Sequence, residues 1–322
     1  MAYDRITLNN GLRIIGERME AVHTVAVGVF VRTGAVNEAP AENGYSHFVE
    51  HMLFKGTQSR TGADIAREFD RMGGQVNAYT SKEVTCFYAK TLDYHAQQAV
   101  ELLADMLLHP RLDETDLNTE RGVVLEEINM VEDSPDDLVV ERLFEATWGA
   151  PGLGSPILGT QQTVSSFSPA VLRDYMARAY GAGNIVVSVA GRFDRDRMVK
   201  LLRGLLEPLP ASPRRGEAPL PLFTPAIVTK DKDIEQNHLC YGFPGYGVTD
   251  RRATALSIVS HILGDGMSSR LFQRLREQLG LVYTVSTFLS SHKGCGLLVL
   301  YSAQQAESEA RAMEVVQRVL YV

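Results

Sequence analysis

The sequence predicts an α+β protein of two similar domains facing each other across a cleft. Three observations predict it. The chain has 322 residues, more than one ordinary domain needs. A strand-then-helix succession in the first half returns in degenerate form in the second. Between them, residues 206–221 carry five prolines, at 208, 210, 213, 219 and 221, which reads as a linker. The division is therefore 1–205, a Pro-rich linker at 206–227, and 228–322.

Residues 1–8 read as a strand, Asn9-Asn10-Gly11 as a turn and residues 12–15 as the returning strand. Residues 25–31 are nearly all apolar and read as a buried strand. Pro40-Ala41-Glu42-Asn43 reads as a helix start leading into Gly44 and Tyr45, and Lys55-Gly56-Thr57 as its stop. A helix over 62–72 places Ile65 and Phe69 on one face, and residues 75–89 read as two strands around Ser81-Lys82. Helices over 95–108 and from Glu120 follow, separated by Pro110 and Asp113. Residues 185–189 form a strand ending near Gly191. Past the linker, 237–243 is a strand and 255–263 a helix, and the chain ends in a helix near 313–319.

The helix between 45 and 54 carries His47-Phe48-Val49-Glu50-His51. His47 and His51 are four apart, so both imidazoles lie on one face and can grip one Zn²⁺. Glu50 lies on nearly the same face and can hold a water against the metal. Phe48, Val49, Met52 and Leu53 cover the other side and can face a core. The order His-x-x-Glu-His is the inverzincin signature. Catalytic zinc usually takes three protein ligands and a water, and the carboxylate-rich helix Glu120-Arg121-Gly122-Val123-Val124-Leu125-Glu126-Glu127-Ile128-Asn129 can supply the third. Glu120 and Glu127, seven apart, share a face, with Val123 and Val124 flanking them as if turned inward. Glu126 points elsewhere, toward solvent. Spacing alone does not choose among these acids.

Composition bounds the class. A net charge of −7 argues against nucleic acid and suits basic substrates. Cys86, Cys240 and Cys295 are odd in number and far apart, which reads as reduced thiols in a cytoplasmic protein. No apolar run reaches 18 residues, so no membrane span is expected, and the start lacks a signal peptide's apolar core.

These motifs together resemble the M16 zinc metallopeptidases, which include the mitochondrial processing peptidases, pitrilysin, insulin-degrading enzyme and many bacterial processing-peptidase-like proteins. Besides the histidine motif, the resemblance rests on Gly44-Tyr45-Ser46 before it and Phe54-Lys55-Gly56-Thr57 after it. It rests also on Gly73-Gly74-Gln75-Val76-Asn77-Ala78-Tyr79-Thr80 and on Glu127, 76 positions past His51. It runs from about residue 3 to about residue 305. It implies one Zn²⁺ per chain held by His47, His51 and Glu127, with Glu50 as general base and Glu120 supporting the site from behind the ligands. It also implies domains built as mainly antiparallel sheets packed with helices, paired as a clamshell.

The same resemblance assigns the substrate contacts. Asn77 and Ala78 match an edge strand to which an extended peptide adds. Phe54 matches an aromatic pocket for the side chain after the cut. Asp137 and Glu141 match an acidic pair that reads a basic residue, here expected to be arginine, before the cut. Arg276 and Tyr283, seven apart, match a substrate-binding Arg and an oxyanion-donating Tyr of the second domain, with Arg274 a rival for the first role.

In the degenerate second copy, His261 falls where His51 does, but Ser257 and Ser260 stand in place of His47 and Glu50. His261 is expected to be packed or at the cleft edge, without metal. The second copy is also short, which reads as an incomplete domain. The sequence thus predicts a cytoplasmic zinc endopeptidase for peptides or unfolded, presequence-like segments, acting as a homodimer or with a partner subunit of the same family. The alternatives are a catalytic subunit that needs a partner chain, and a non-catalytic scaffold of the M16 type.

Overall fold

Alternating burial along Thr24–Val31 marks the strand around which the first sheet is built. The computed structural model describes residues 3–214, 216 and 218–321; positions 215 and 217 of the expected linker lie outside the described residues, as do 1, 2 and 322. Strands β1 (Asp4–Thr7), β2 (Arg13–Arg18), β3 (Thr24–Val31), β4 (Gln75–Thr80), β5 (Thr85–Leu92) and β6 (Ile185–Gly191) form one sheet in the order β1-β2-β6-β3-β5-β4. Every neighbouring pair is antiparallel except β2 with β6. The expected hairpin at Asn9-Asn10-Gly11 joins β1 to β2, and β4 is an edge strand.

The helices are α1 (Tyr45–Leu53), α2 (Gly62–Arg71), α3 (Ala96–Leu108), α4 (Glu114–Asp133), α5 (Pro135–Trp148), α6 (Gln161–Ser165), α7 (Pro169–Ala179) and α8 (Arg195–Leu206). In α1, Phe48, Val49, Met52 and Leu53 are completely buried, as the 3.6-residue period requires. Burying each stabilises the fold by about 1.5–3 kcal/mol. The helix is therefore pinned from beneath while its histidine face stays open.

By contacts, the described residues divide into two compact units, Met1–Ile128 with Ser155–Ala218, and Asn129–Gly154 with Pro219–Val322. Segment 129–154, which the sequence reading places in the first domain, packs with the second unit because α5 lies on that unit's sheet. The linker expected at 206–227 is divided too. Pro210 accepts from the Ala182 amide at 3.2 Å, in the first unit, and the Thr224 amide donates to Thr147 at 3.1 Å, in the second.

In the second unit β7 (Asn237–Gly245), β8 (Thr284–Ser291) and β9 (Gly296–Gln304) form an antiparallel sheet in the order β7-β9-β8. Helix α9 (Arg252–Gly264) and a π-helical segment, Phe272–Gln278, lie between β7 and β8, and α10 (Ala306–Leu320) follows β9. The first unit runs β3, α1, α2, β4, β5, α3, with strand order β3-β5-β4. The two runs share order and pairing, so the duplication is written in the topology. The copies differ in packing: α9 leaves Ile258, Val259 and Ile262 exposed, where α1 covers its apolar face. No helix among the described residues is long and apolar enough to cross a membrane.

Candidate metal centre

The site begins with how α1 starts. Gly44 sits just before it at φ +98°, where only glycine is unstrained, and a Cβ there would lie 2.8 Å from the Leu158 carbonyl oxygen. Having no side chain, Gly44 cannot cap the helix. Glu38 does so from a distance: its carboxylate accepts from the amides of Gly44 (2.8 Å) and Ser46 (2.7 Å). A negative charge there answers the positive end of the helix. Burial pushes the Glu38 carboxyl pKa up, and these amide bonds oppose it. The Ser46 hydroxyl bonds Tyr175 at 2.6 Å, and Tyr175 bonds Thr33 at 2.7 Å, tying the start of α1 to α7 and to the end of β3.

One turn on, the imidazoles of His47 and His51 stand with ring centroids 4.6 Å apart. The Nε2 atoms of His47 and His51 lie 3.5 and 3.7 Å from Glu127 Oε2. Among the described residues this is the one group of three or more His, Cys, Asp or Glu whose ligand atoms, all within 4.8 Å of one another, could hold a metal ion.

The acids that spacing left open now separate. Glu127 is half-buried and reaches both Nε2 atoms. Glu120, buried at 3% exposure, has its oxygens engaged elsewhere: Oε2 takes His51 Nδ1 at 2.9 Å and Oε1 takes Lys55 Nζ at 2.5 Å. A carboxylate only accepts, so His51 carries its proton on Nδ1 and turns the Nε2 lone pair toward Glu127. Glu126 is exposed. The inward stripe of α4 is Leu117, Glu120, Val124 and Ile128. Val123, expected to face inward, is 42% exposed. It lies about 60° round the helix from Glu120, past the stripe's edge. His47 lacks His51's support, since its Nδ1 is buried without a hydrogen-bond partner.

Glu50 is half-buried, and its Oε2 accepts from the Thr80 hydroxyl at 2.5 Å. Burial pushes its pKa up, opposed by the Thr80 bond. Phe54 caps α1, half-buried against the core. Asn77 and Ala78 lie on edge strand β4, with Asn77 Oδ1 accepting from the Ala78 amide at 2.8 Å. In the second unit, Asp137 and Glu141 on α5 line one pocket of ≈ 510 Å³ with Val131, Val140, Phe288 and Tyr301. The Arg276 guanidinium lies 5.9 Å from the Tyr283 ring centre, and Tyr283 is 69% exposed. Arg274 bonds Gln278 at 2.8 Å. The His261 side chain, expected to be packed or at a cleft edge, is 72% exposed and bonds Asp265 at 2.9 Å, so it is not a core histidine.

Contacts that the sequence reading did not assign are Thr80 to Glu50, Lys55 to Glu120 and Glu38 to the start of α1. Lys55 and Thr80 belong to motifs already singled out, and their partners lie in other elements. No local pattern marks Glu38.

Burial, with the neighbouring His51, lowers the His47 pKa from 6.5 to about 4. The unfolded chain takes up this proton near 6.5 and the folded chain near 4, so the unfolded state binds more protons between those values. This group's contribution is complete above about 6.5 and is lost as pH falls toward about 4. In chelator, the Tm of the wild type will therefore fall more steeply from pH 7 to pH 4.5 than that of His47→Asn. Equal slopes would contradict it.

Comparison with known proteins agrees with this geometry. Residues 13–161 match the family model described as insulinase (peptidase family M16), and residues 166–321 match the peptidase M16 inactive domain. The chain is 44% identical over 316 residues to the uncharacterized zinc protease YmxG of Bacillus subtilis, spanning 98% of this chain and 77% of that one. It is 37% identical over 307 residues to an uncharacterized zinc protease of Streptomyces coelicolor, spanning 92% of this chain and 67% of that one. Among solved structures, a peptidase M16 inactive domain from Pseudomonas fluorescens superposes with TM-score 0.92 at 20% identity, covering 100% of this chain and 79% of that one. A protease from Helicobacter pylori gives 0.88 at 21%, covering 98% and 79%. These two speak to the fold. With both halves matched and its histidine–glutamate cluster assembled, the chain belongs to peptidase family M16, the zinc metallopeptidases.

Proposed function

We propose that this chain is a zinc-dependent endopeptidase for peptides or unfolded, presequence-like segments, with one Zn²⁺ held by His47, His51 and Glu127. The observation that carries the reading is the meeting of two Nε2 atoms and a carboxylate oxygen on the face that also bears Glu50. Tetrahedral zinc with bonds of about 2.0–2.2 Å sets its ligand atoms roughly 3.3 Å apart. The separations of 3.5 and 3.7 Å are close to that. The low pKa of His47 keeps it neutral, with a lone pair to give.

Zinc bound there would acidify its water and polarise the scissile carbonyl. The chain's own groups supply the rest. Glu50 Oε2 is engaged by Thr80, which leaves Oε1 to take the proton of the attacking water and pass it to the leaving amine. An extended peptide adds along the free edge of β4 at Asn77 and Ala78. Phe54 receives the side chain after the cut. Tyr283 donates to the developing oxyanion and Arg276 binds substrate backbone. The functional unit is a dimer with a second copy or a related subunit, in the cytoplasm.

Zinc analysis of the purified chain, with cleavage of a peptide library before and after chelation, tests this reading. It predicts one zinc per chain and cleavage that chelation abolishes and zinc restores. Cleavage indifferent to chelation would refute it.

Two further results are expected. Glu120→Ala will weaken zinc binding by about 10–100-fold, read by competition against a chelator, because His51 loses the acceptor that fixes its ring. Reversing both charges, with Asp137→Lys and Glu141→Lys, will remove the preference for arginine before the cut; a preference that survives both changes contradicts that assignment.

A further inference from the structure

A glutamate on an open helix face has three rotatable bonds, so a general base in that position needs something to aim it. Glu50 has such a holder. Thr80 Oγ1 donates to Glu50 Oε2 at 2.5 Å, across thirty residues of sequence. Thr80 is the last residue of β4 and pairs with Thr85 on β5. Thr85 is fully buried and its hydroxyl bonds the Thr33 carbonyl at 3.0 Å, so this end of the hairpin is anchored from beneath. Burial alternates along β4: Val76, Ala78 and Thr80 are half-buried on one side, while Gln75, Asn77 and Tyr79 are exposed on the other. The half-buried side is the one from which Thr80 reaches α1. A β-branched side chain on a strand has few χ1 choices, so the hydroxyl points where the backbone sets it.

We propose that Thr80 is a positioning residue that fixes Glu50 by one carboxylate oxygen and aims the other. Because β4 is also the sheet edge, Thr80 ties the strand along which a peptide would lie to the orientation of the base. A peptide that straightens or shifts β4 on docking would move the hydroxyl with it, so seating the substrate and aiming the base become one event. The inference rests on the reading of Glu50 as general base.

Thr80→Val keeps the branched shape and the strand preference but removes the hydroxyl, while Thr80→Ser keeps the hydroxyl. Zinc content, kcat and KM on a fluorogenic peptide, and a crystal structure would be obtained for wild type and both variants. The Val variant is expected to keep wild-type zinc and a KM within about 2-fold, to lose about 10–100-fold in kcat, and to show the Glu50 carboxylate displaced; hydrogen bonds to charged groups are of that size. Ser will restore the Glu50 position and most of kcat. A mere folding defect would not spare KM and zinc while answering to Ser. A Val variant with wild-type kcat, or with Glu50 unmoved, overturns the proposal. If the wild type cleaves no peptide, the position of Glu50 decides alone. Glu50→Gln measured in parallel separates the two readings: if Gln still cleaves, the base assignment fails, while the structure of the Val variant still judges the contact.

Discussion

Glu50→Gln will leave zinc bound at wild-type stoichiometry and lower kcat by about 10²–10⁴-fold, the usual contribution of a positioned acid–base group. The amide has the shape of the carboxylate and its oxygen can still accept the Thr80 hydroxyl, but it cannot take a proton. Folding will not suffer. Burial already disfavours the charged carboxylate, as the raised pKa of Glu50 records, so a neutral isostere removes a desolvation cost. The metal-free variant should therefore melt no lower than wild type at pH 7.5. Mass spectrometry of the intact zinc-loaded protein and a fluorogenic assay check both halves. Undiminished cleavage would remove Glu50 from the chemistry.

Glu127→Ala will behave in the opposite way, losing metal first and activity as a consequence. Two imidazoles remain, a set too small to hold catalytic zinc. Affinity should drop by more than the roughly 10–100-fold expected when only the group behind a ligand is changed. Glu127 is half-buried at the margin of the α4 stripe, and alanine is the best helix former, so the metal-free fold should be unaffected. Zinc at 100 times its Kd stabilises a protein that binds it only when folded by about 2.7 kcal/mol. Wild type will show the corresponding rise in Tm on adding zinc, and Glu127→Ala will not. An equal rise in both would place the ion elsewhere.

The site was legible where it follows helical period and opaque where it depends on pairing between distant elements. His47 and His51 declare themselves by spacing, and Phe48, Val49, Met52 and Leu53 follow from the same period. Glu120 and Glu127 share that period too, and for this reason the sequence could not rank them. What separates them is that Lys55 and His51 occupy the oxygens of Glu120, a contact across 69 residues for His51. The Thr80 bond to Glu50 and the Glu38 carboxylate at the start of α1 are hidden in the same way.

The fold shows the same division. The strand–helix repeat was readable from order and apolar runs, and the shared β3-β5-β4 and β7-β9-β8 topology agrees with it. That α5 joins the second sheet was not readable, because a helix following α4 in sequence carries no local mark of the sheet it covers. Val123 failed for a smaller reason: it sits just beyond a stripe whose width no period specifies.

The central claim is that one zinc ion sits among His47, His51 and Glu127. Diffraction from crystals of the zinc-loaded chain, recorded on either side of the zinc absorption edge, tests it most directly. The expected result is a single strong anomalous peak per chain, about 2.0–2.2 Å from both Nε2 atoms and a Glu127 carboxylate oxygen. Zinc present in the protein but with no peak there, or with its peak at other residues, would contradict the account.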